Sequence, residues 1–133
     1  MKEFFKIIQK NNVSPFWTLA IHSGHELRSE VEKEIVLTEN QRLREEDPFT
    51  DEFTNISKNR IIVNRSRFEV DLNRIRKKAV YMRPQDAWGL EIWKNKPDKE
   101  LISISLELYD IFFPENLGIA KKSPQETRLF FAL

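Results

Sequence analysis

The chain has 133 residues, 22 basic and 21 acidic side chains for a net charge of +1, and no cysteine. That length suits one domain or part of a larger one, since single domains commonly run about 100–200 residues. Without cysteine, disulfides and thiolate metal sites are excluded, so a metal must be held by His, Asp or Glu, and only His22 and His25 supply imidazoles.

The apolar fraction of 40%, with 10 Phe and 3 Trp, is enough for a core, while 32% charged residues demand a well-solvated surface. No apolar run approaches the roughly 18 residues of a membrane-spanning helix, and charges interrupt the N-terminal MKEFFKIIQKNN where a signal core would lie. A cytoplasmic protein with no membrane partner is expected. The net charge argues against a general nucleic-acid binder, but it hides a division. From Glu26 to Phe53 there are ten acidic against four basic residues, net −6, and from Ser57 to Arg83 nine basic against two acidic, net +7. Brought together, these stretches either pair as surface salt bridges or set a cation-attracting half beside an anion-attracting one.

In chain order, Glu3–Gln9 and Phe16–Ile21 are short apolar runs flanking the turn-prone Asn11-Asn12-Val13-Ser14-Pro15, which predicts two strands. The second ends at His22-Ser23-Gly24. Helices are predicted over Ser29–Leu37 and Glu39–Glu46, with Thr38 and Gln41 spaced as a capping box and Pro48 as a stop. Arg60–Asn64 reads as a strand. Ser66–Leu72 reads as another, with Phe68, Val70 and Leu72 on a core face and Arg67, Glu69 and Asp71 on a charged one. Tyr81–Trp93 is read as loop with short elements. Lys99–Phe113 carries Leu101, Ile104, Leu108 and Phe112 at helical spacing, a core stripe closed by Pro114 and Gly118. Strands alternating with helices imply an α/β fold with a mixed sheet and flanking helices. In such sheets ligands bind beyond the carboxyl ends of strands.

His22 lies at such an end, before one of only three glycines, so the backbone can turn there and leave the imidazole at the sheet rim. His25 shares a metal with it only if the local turn brings both rings together. Glu45-Glu46-Asp47-Pro48, with Asp51 beyond, is either a solvated acidic face or the source of a carboxylate partner for His22, since catalytic zinc takes two or three His, Asp or Glu ligands. Between Arg65 and Arg74, clustered arginines with Asn73 at a strand end make a fork for carboxylates, or a charged face that pairs with the acidic helices.

Three ordered blocks carry a resemblance: Ala20-Ile21-His22-Ser23-Gly24-His25, Arg44-Glu45-Glu46-Asp47-Pro48-Phe49-Thr50-Asp51 and Ser66-Arg67-Phe68-Glu69-Val70-Asp71-Leu72-Asn73-Arg74. Together with Ala79-Val80-Tyr81 and Asp86-Ala87-Trp88-Gly89-Leu90, they resemble the N-formylglutamate amidohydrolase family over roughly residues 14–113. The resemblance implies a zinc carboxypeptidase-like fold, whose Asp-x-Asn-Arg segment is similar to Asp71-Leu72-Asn73-Arg74. It further implies a zinc cofactor and a small-molecule carboxylate substrate. By it, Asn73 and Arg74 hold the substrate carboxylate, and Arg67 polarises the scissile carbonyl or binds a second carboxylate. His22 is the first zinc ligand. The family-like His-x-x-Glu pattern is broken by His25, so the second ligand is ranked Asp47, then His25, then Glu26.

The family continues with another zinc-binding His and a catalytic acid, whereas no His follows His25 here. Residues 1–113 are therefore expected to be the N-terminal part of such a domain, residues 114–133 a divergent tail, and the fold incomplete. The expected function is zinc-dependent hydrolysis of an N-formyl or N-acyl amino acid, weak or absent in so short a chain. Two rivals stand beside it: a basic nucleic-acid or anion-binding module over Ser57–Arg83 with Phe68, Tyr81 and Trp88 interleaved, and an inert fragment that self-associates through an exposed sheet edge.

Overall fold

The structure is a computed structural model that describes residues 3–11, 14–122 and 128–132, with side chains through residue 113. It is α/β, with a mixed four-stranded sheet. Strand β1 is Phe5–Gln9, β2 is Phe16–Ala20, β3 is Asn59–Val63 and β4 is Arg128–Ala132. Their order across the sheet is β1-β3-β2-β4, antiparallel between β1 and β3 and parallel at the other two junctions. Trp17, Thr18, Leu19 and Ala20 of β2 are all buried, as a central parallel strand covered on both faces requires.

Helices occupy the segments between strands: α1 at Ser29–Glu34, α2 at Glu39–Glu45 and α3 at Lys99–Lys122. A 3-10 helix covers Thr50–Ile56, and two single 3-10 turns sit at Arg76–Lys78 and Pro84–Asp86. The Thr38–Gln41 capping box forms: the Gln41 amide N–H donates to Thr38 Oγ1 at 3.2 Å and the Thr38 N–H to Gln41 Oε1 at 2.8 Å. These two bonds satisfy donors that the first helical turn leaves free. At α3, Asp98 accepts the Leu101 N–H at 2.8 Å and plays the same part. No helix among the described residues is long and apolar enough to cross a membrane.

The core has two lobes. Trp17, Leu19, Ile61, Val63 and Phe112 pack between the sheet and α3, joined by Val70 and Leu72. Val31, Ile35, Phe68, Tyr81, Ala87 and Ile92 form the second lobe beneath α1. Burial of this apolar surface, at about 25 cal/mol per Å², is the main drive toward the fold.

Four sequence expectations are corrected. The segment Ser66–Leu72 is a turn, not a strand: the Glu69 N–H donates to the Ser66 carbonyl at 3.1 Å, and only Arg65 bridges to Glu26. Its presumed charged outer face is inside, with Glu69 and Asp71 both fully buried. Arginines four residues earlier pair with each of them, which an extended strand would not permit. Helix α1 stops at Glu34 rather than Leu37, because the β-branched Ile35-Val36 pair goes extended and pairs with Trp93 and Ile92. Helix α3 runs past Pro114 to Lys122; proline's φ suits a helix, at the loss of one backbone bond. Ser105, not Ile104, faces inward from α3, because its hydroxyl accepts from Arg28 at 2.8 Å, whereas Ile104 is 39% exposed.

Beyond the ends of β2 and β3 the chains stay side by side, the Glu26 N–H donating to the Asn64 carbonyl at 3.1 Å and the Ser66 N–H to the Glu26 carbonyl at 2.8 Å. Gly24 permits this approach: a Cβ there would lie 2.3 Å from the Asn64 carbonyl carbon. Replacing Gly24 with Ala is expected to destabilise the protein by about 1–3 kcal/mol through backbone displacement, read as a lower urea midpoint at unchanged slope.

Candidate active site at the carboxyl ends of β2 and β3

Asp71 is the hub of the site. Its carboxylate is buried, and five donors converge on it. Oδ1 lies 2.7 Å from His22 Nε2 and accepts the Asn73 N–H at 2.8 Å. Oδ2 accepts from the Tyr81 hydroxyl and from Arg67 Nη2 at 3.2 Å, with Arg74 Nε at 3.4 Å. Burial opposes ionisation of Asp71, but the hydrogen bond from His22, the charge that ring carries when protonated, the hydrogen bond from Tyr81 and the positive charge of Arg67 outweigh it and hold the carboxyl well below the ordinary range. Burial, then the Asp71 charge, pushes Tyr81 far above its ordinary value, so its hydroxyl stays a donor. Although burial acts against it, the Tyr81 and Asp71 contacts raise Arg67 further.

An ionised carboxylate only accepts, so the proton of a neutral His22 ring sits on Nε2 and the lone pair on Nδ1. That lone pair faces Asp47 Oδ2 at 3.5 Å, too far for a normal hydrogen bond. His22 is buried and Asp47 is 31% exposed, so Asp47 marks the solvent side of the pair. The Asp47 N–H donates to the His22 carbonyl at 3.0 Å, which fastens the end of α2 to the end of β2.

Arg67 is tightly held. Its Nε donates to the Tyr81 hydroxyl at 3.0 Å and Nη1 to the Glu45 carbonyl at 3.1 Å, and Nη1 is also 3.7 Å from Asp47 Oδ2. The guanidinium stacks on Trp88 at 4.9 Å, while that of Arg74 lies 4.7 Å over the Tyr81 ring. Arg74 is 31% exposed, and its two terminal nitrogens make no hydrogen bond among the described residues. Asn73, beside it, is exposed.

Thus His22, Asp47, Arg67 and Arg74 come together, with Asn73 next to them. His25 belongs to another network: its Nδ1 is 2.5 Å from Glu46, and Arg42 donates to Nε2 at 3.1 Å. Buried Glu46 also accepts from Ser66 and, at 3.0 Å, from Arg42. Glu26 pairs through its backbone with the Arg65–Ser66 strand end. Sequence reasoning gave no role to Asp71 as the partner of His22, nor to Tyr81 and Trp88 as supports for the arginines. Asp71 stands among Arg67, Glu69 and Arg74 in an alternating charged stretch, so nothing local marks it as the buried partner of a histidine. Nothing near Tyr81 or Trp88 in sequence points to an arginine.

A histidine paired to a buried carboxylate, with arginines beside it, thus stands beyond the strand ends of a mixed sheet, where α/β sheets bind ligands. The family model described as N-formylglutamate amidohydrolase matches residues 14–109, well over half of the chain, and the chain belongs to that family. All the residues named around Asp71 lie within the matched span. Searches of curated proteins and of solved structures return no match.

The depressed Asp71 value makes a signed prediction. Its ordinary value is 3.8, so its contribution to stability is complete above about pH 5 and is lost as the pH falls below about 4. Asp71→Asn, which leaves buried cations unpaired, is expected to cost about 3–5 kcal/mol at pH 7. In urea denaturation at a series of pH values, the gap between parent and variant should shrink below pH 4. A gap constant from pH 7 to pH 2.5 would count against the assignment.

Proposed function

We propose that the chain is a zinc-dependent amidohydrolase acting on N-formyl or N-acyl amino acids, with the zinc carboxypeptidase-like architecture that its Asp71-Leu72-Asn73-Arg74 segment suggests. The observation that carries this reading is the facing pair of His22 Nδ1 and Asp47 Oδ2, 3.5 Å apart. Two ligands on a tetrahedral zinc with bonds of about 2.0–2.2 Å stand about 3.4 Å from one another. Two acceptors facing at that distance are best satisfied by a cation. The hydrogen bond from His22 Nε2 to Asp71 is the support that metal-binding histidines commonly have, fixing the tautomer and raising the basicity of the ligating nitrogen. Among the described residues no group of three or more His, Cys, Asp or Glu is arranged to hold a metal, so in this reading His22 and Asp47 are two donors of a larger set. His25, with both ring nitrogens engaged, ranks below Asp47.

Zinc in such a position supplies Lewis-acid polarisation of a carbonyl and acidification of a water. The residues of this chain do the rest. Arg74 offers its terminal nitrogens, unbonded among the described residues, to the substrate carboxylate, with Asn73 adjacent. Arg67 has five N–H groups, three of which are hydrogen-bonded, to Tyr81, Glu45 and Asp71; one is left on each terminal nitrogen. Those two N–H groups suit polarisation of the acyl oxygen or a hold on a second carboxylate. Attack of water on the acyl carbon and cleavage of the C–N bond would yield a carboxylic acid, formate in the formyl case, and the amino acid.

Elemental analysis of the purified chain tests the reading directly. About one zinc per chain is expected, lost in His22→Ala and strongly weakened in Asp47→Ala. With zinc bound, Arg74→Ala should raise KM about 10- to 100-fold with a smaller effect on kcat, the range expected for one charged hydrogen-bonding contact. A folded parent that takes up no zinc would end the proposal.

A further inference from the structure

The Asp47 carboxylate faces His22 without being held there by a hydrogen bond to either cationic neighbour: His22 Nδ1 lies 3.5 Å from Oδ2 and Arg67 Nη1 3.7 Å, both beyond normal hydrogen-bond length. Its place is therefore set by the backbone on either side. The Asp47 N–H donates to the His22 carbonyl at 3.0 Å, and the Thr50 hydroxyl donates to the Asp47 carbonyl at 2.7 Å. Immediately before Asp47 stands Glu46, the residue that closes α2.

The Glu46 side chain is buried and gathers three donors, each from a different stretch of chain. Arg42 of α2 donates at 3.0 Å, Ser66 comes from the turn that carries Arg67 and Asp71, and His25 Nδ1, at 2.5 Å, from the segment that continues from His22. The backbone before Glu46 is in use at the site as well, since the Glu45 carbonyl accepts from Arg67 Nη1 at 3.1 Å. One buried side chain thus clamps the end of α2 against both segments that bring His22, Arg67 and Asp71 together. Arginine only donates, so a neutral His25 ring accepts from Arg42 at Nε2, 3.1 Å away, and carries its proton on Nδ1, toward Glu46. The clamp therefore needs an acceptor at both carboxylate oxygens: Ser66 and Arg42 share Oε1, and His25 takes Oε2.

We propose that Glu46 is a positioning residue for the metal pair: its buried carboxylate holds the end of α2 where Asp47 faces His22 Nδ1, so zinc affinity depends on a side chain outside the pair. This rests on the zinc reading of His22 and Asp47. Glu69 supplies the contrast. It is at least as deeply buried and grips the same turn through Arg65, but its other ionic partner is Arg28, ahead of α1, and it has no bond to α2.

The experiment measures the zinc dissociation constant of the full chain by competition with a chromogenic chelator, for the parent and for Glu46→Gln, Ser66→Ala and Glu69→Gln. Circular dichroism and urea midpoints are taken on the same samples. In Glu46→Gln the amide must turn a donor either toward Ser66 and Arg42 or toward His25, so one bond of the clamp is lost whichever way it sits. Zinc is expected to bind about 10- to 100-fold more weakly in Glu46→Gln, the range for groups that support metal ligands. In Ser66→Ala the loss should be about 3- to 10-fold, the worth of one hydrogen bond. Glu69→Gln should lower the urea midpoint while its zinc affinity stays within about twofold of the parent, as for a group that shares no partner with the pair. Parent-like affinity in folded Glu46→Gln, or equal losses in Glu46→Gln and Glu69→Gln, overturns the inference and leaves the zinc reading standing. If Glu46→Gln does not fold, Ser66→Ala carries the comparison, and parent-like affinity there overturns the inference. A folded parent that binds no zinc ends both.

Discussion

A carboxylate buried as fully as that of Asp71 must be surrounded by donors, and meeting that demand organises the site. An unpaired charge in the interior costs several kcal/mol, so each donor it gathers is fixed in place by the same interaction that stabilises it. His22 comes from the end of β2, Arg67 and Arg74 from the turn after β3, and Tyr81 from the loop beyond. One anion thereby ties three distant stretches of chain together. It also sets the His22 tautomer and leaves Nδ1 facing Asp47.

The same solution recurs twice nearby. Glu69 is buried between Arg28 and Arg65, and Arg28 in turn reaches Ser105 and the Leu101 carbonyl on α3. Glu46 is buried among Arg42, Ser66 and His25. Each acid takes an arginine and at least one further donor, and each joins an element of the sheet region to a helix or loop. Taken together, the three carboxylates hold the Arg65–Asp71 turn on the sheet end, where apolar packing of Phe68, Val70 and Leu72 supplies the rest. The charged residues here are interior fasteners, and the overall net charge of +1 says little about them.

The strands and helices were readable because their patterns are local. The apolar runs around Ile7, Leu19 and Ile61, the Thr38 capping box and the helical stripe before Phe112 each state their structure within a few residues. Ser66–Leu72 misled because alternation of apolar residues signals a strand only if the intervening residues face water. In this chain Glu69 and Asp71 face inward, and their arginine partners are four residues back on a turn. Whether an acid is solvated or buried depends on what arrives from elsewhere in the chain, which no local window contains.

By itself the sequence determined the alternation of strands and helices, placed His22 at a strand end, and carried the span, residues 14–109, that matches the family. Those properties depend on periodicity, turn chemistry and residue order, all of which are written along the chain. Only the tertiary structure decided that Asp71 is the partner of His22, that His25 goes to Glu46 and Arg42, and that Trp88 and Tyr81 support the two arginines. His22 and Asp71 are 49 positions apart and His25 and Glu46 are 21 apart, and such pairs are brought together by how the two lobes of the core close. Side-chain partners are selected by packing and by the cost of leaving a buried charge unpaired, and both exist only once the chain has folded.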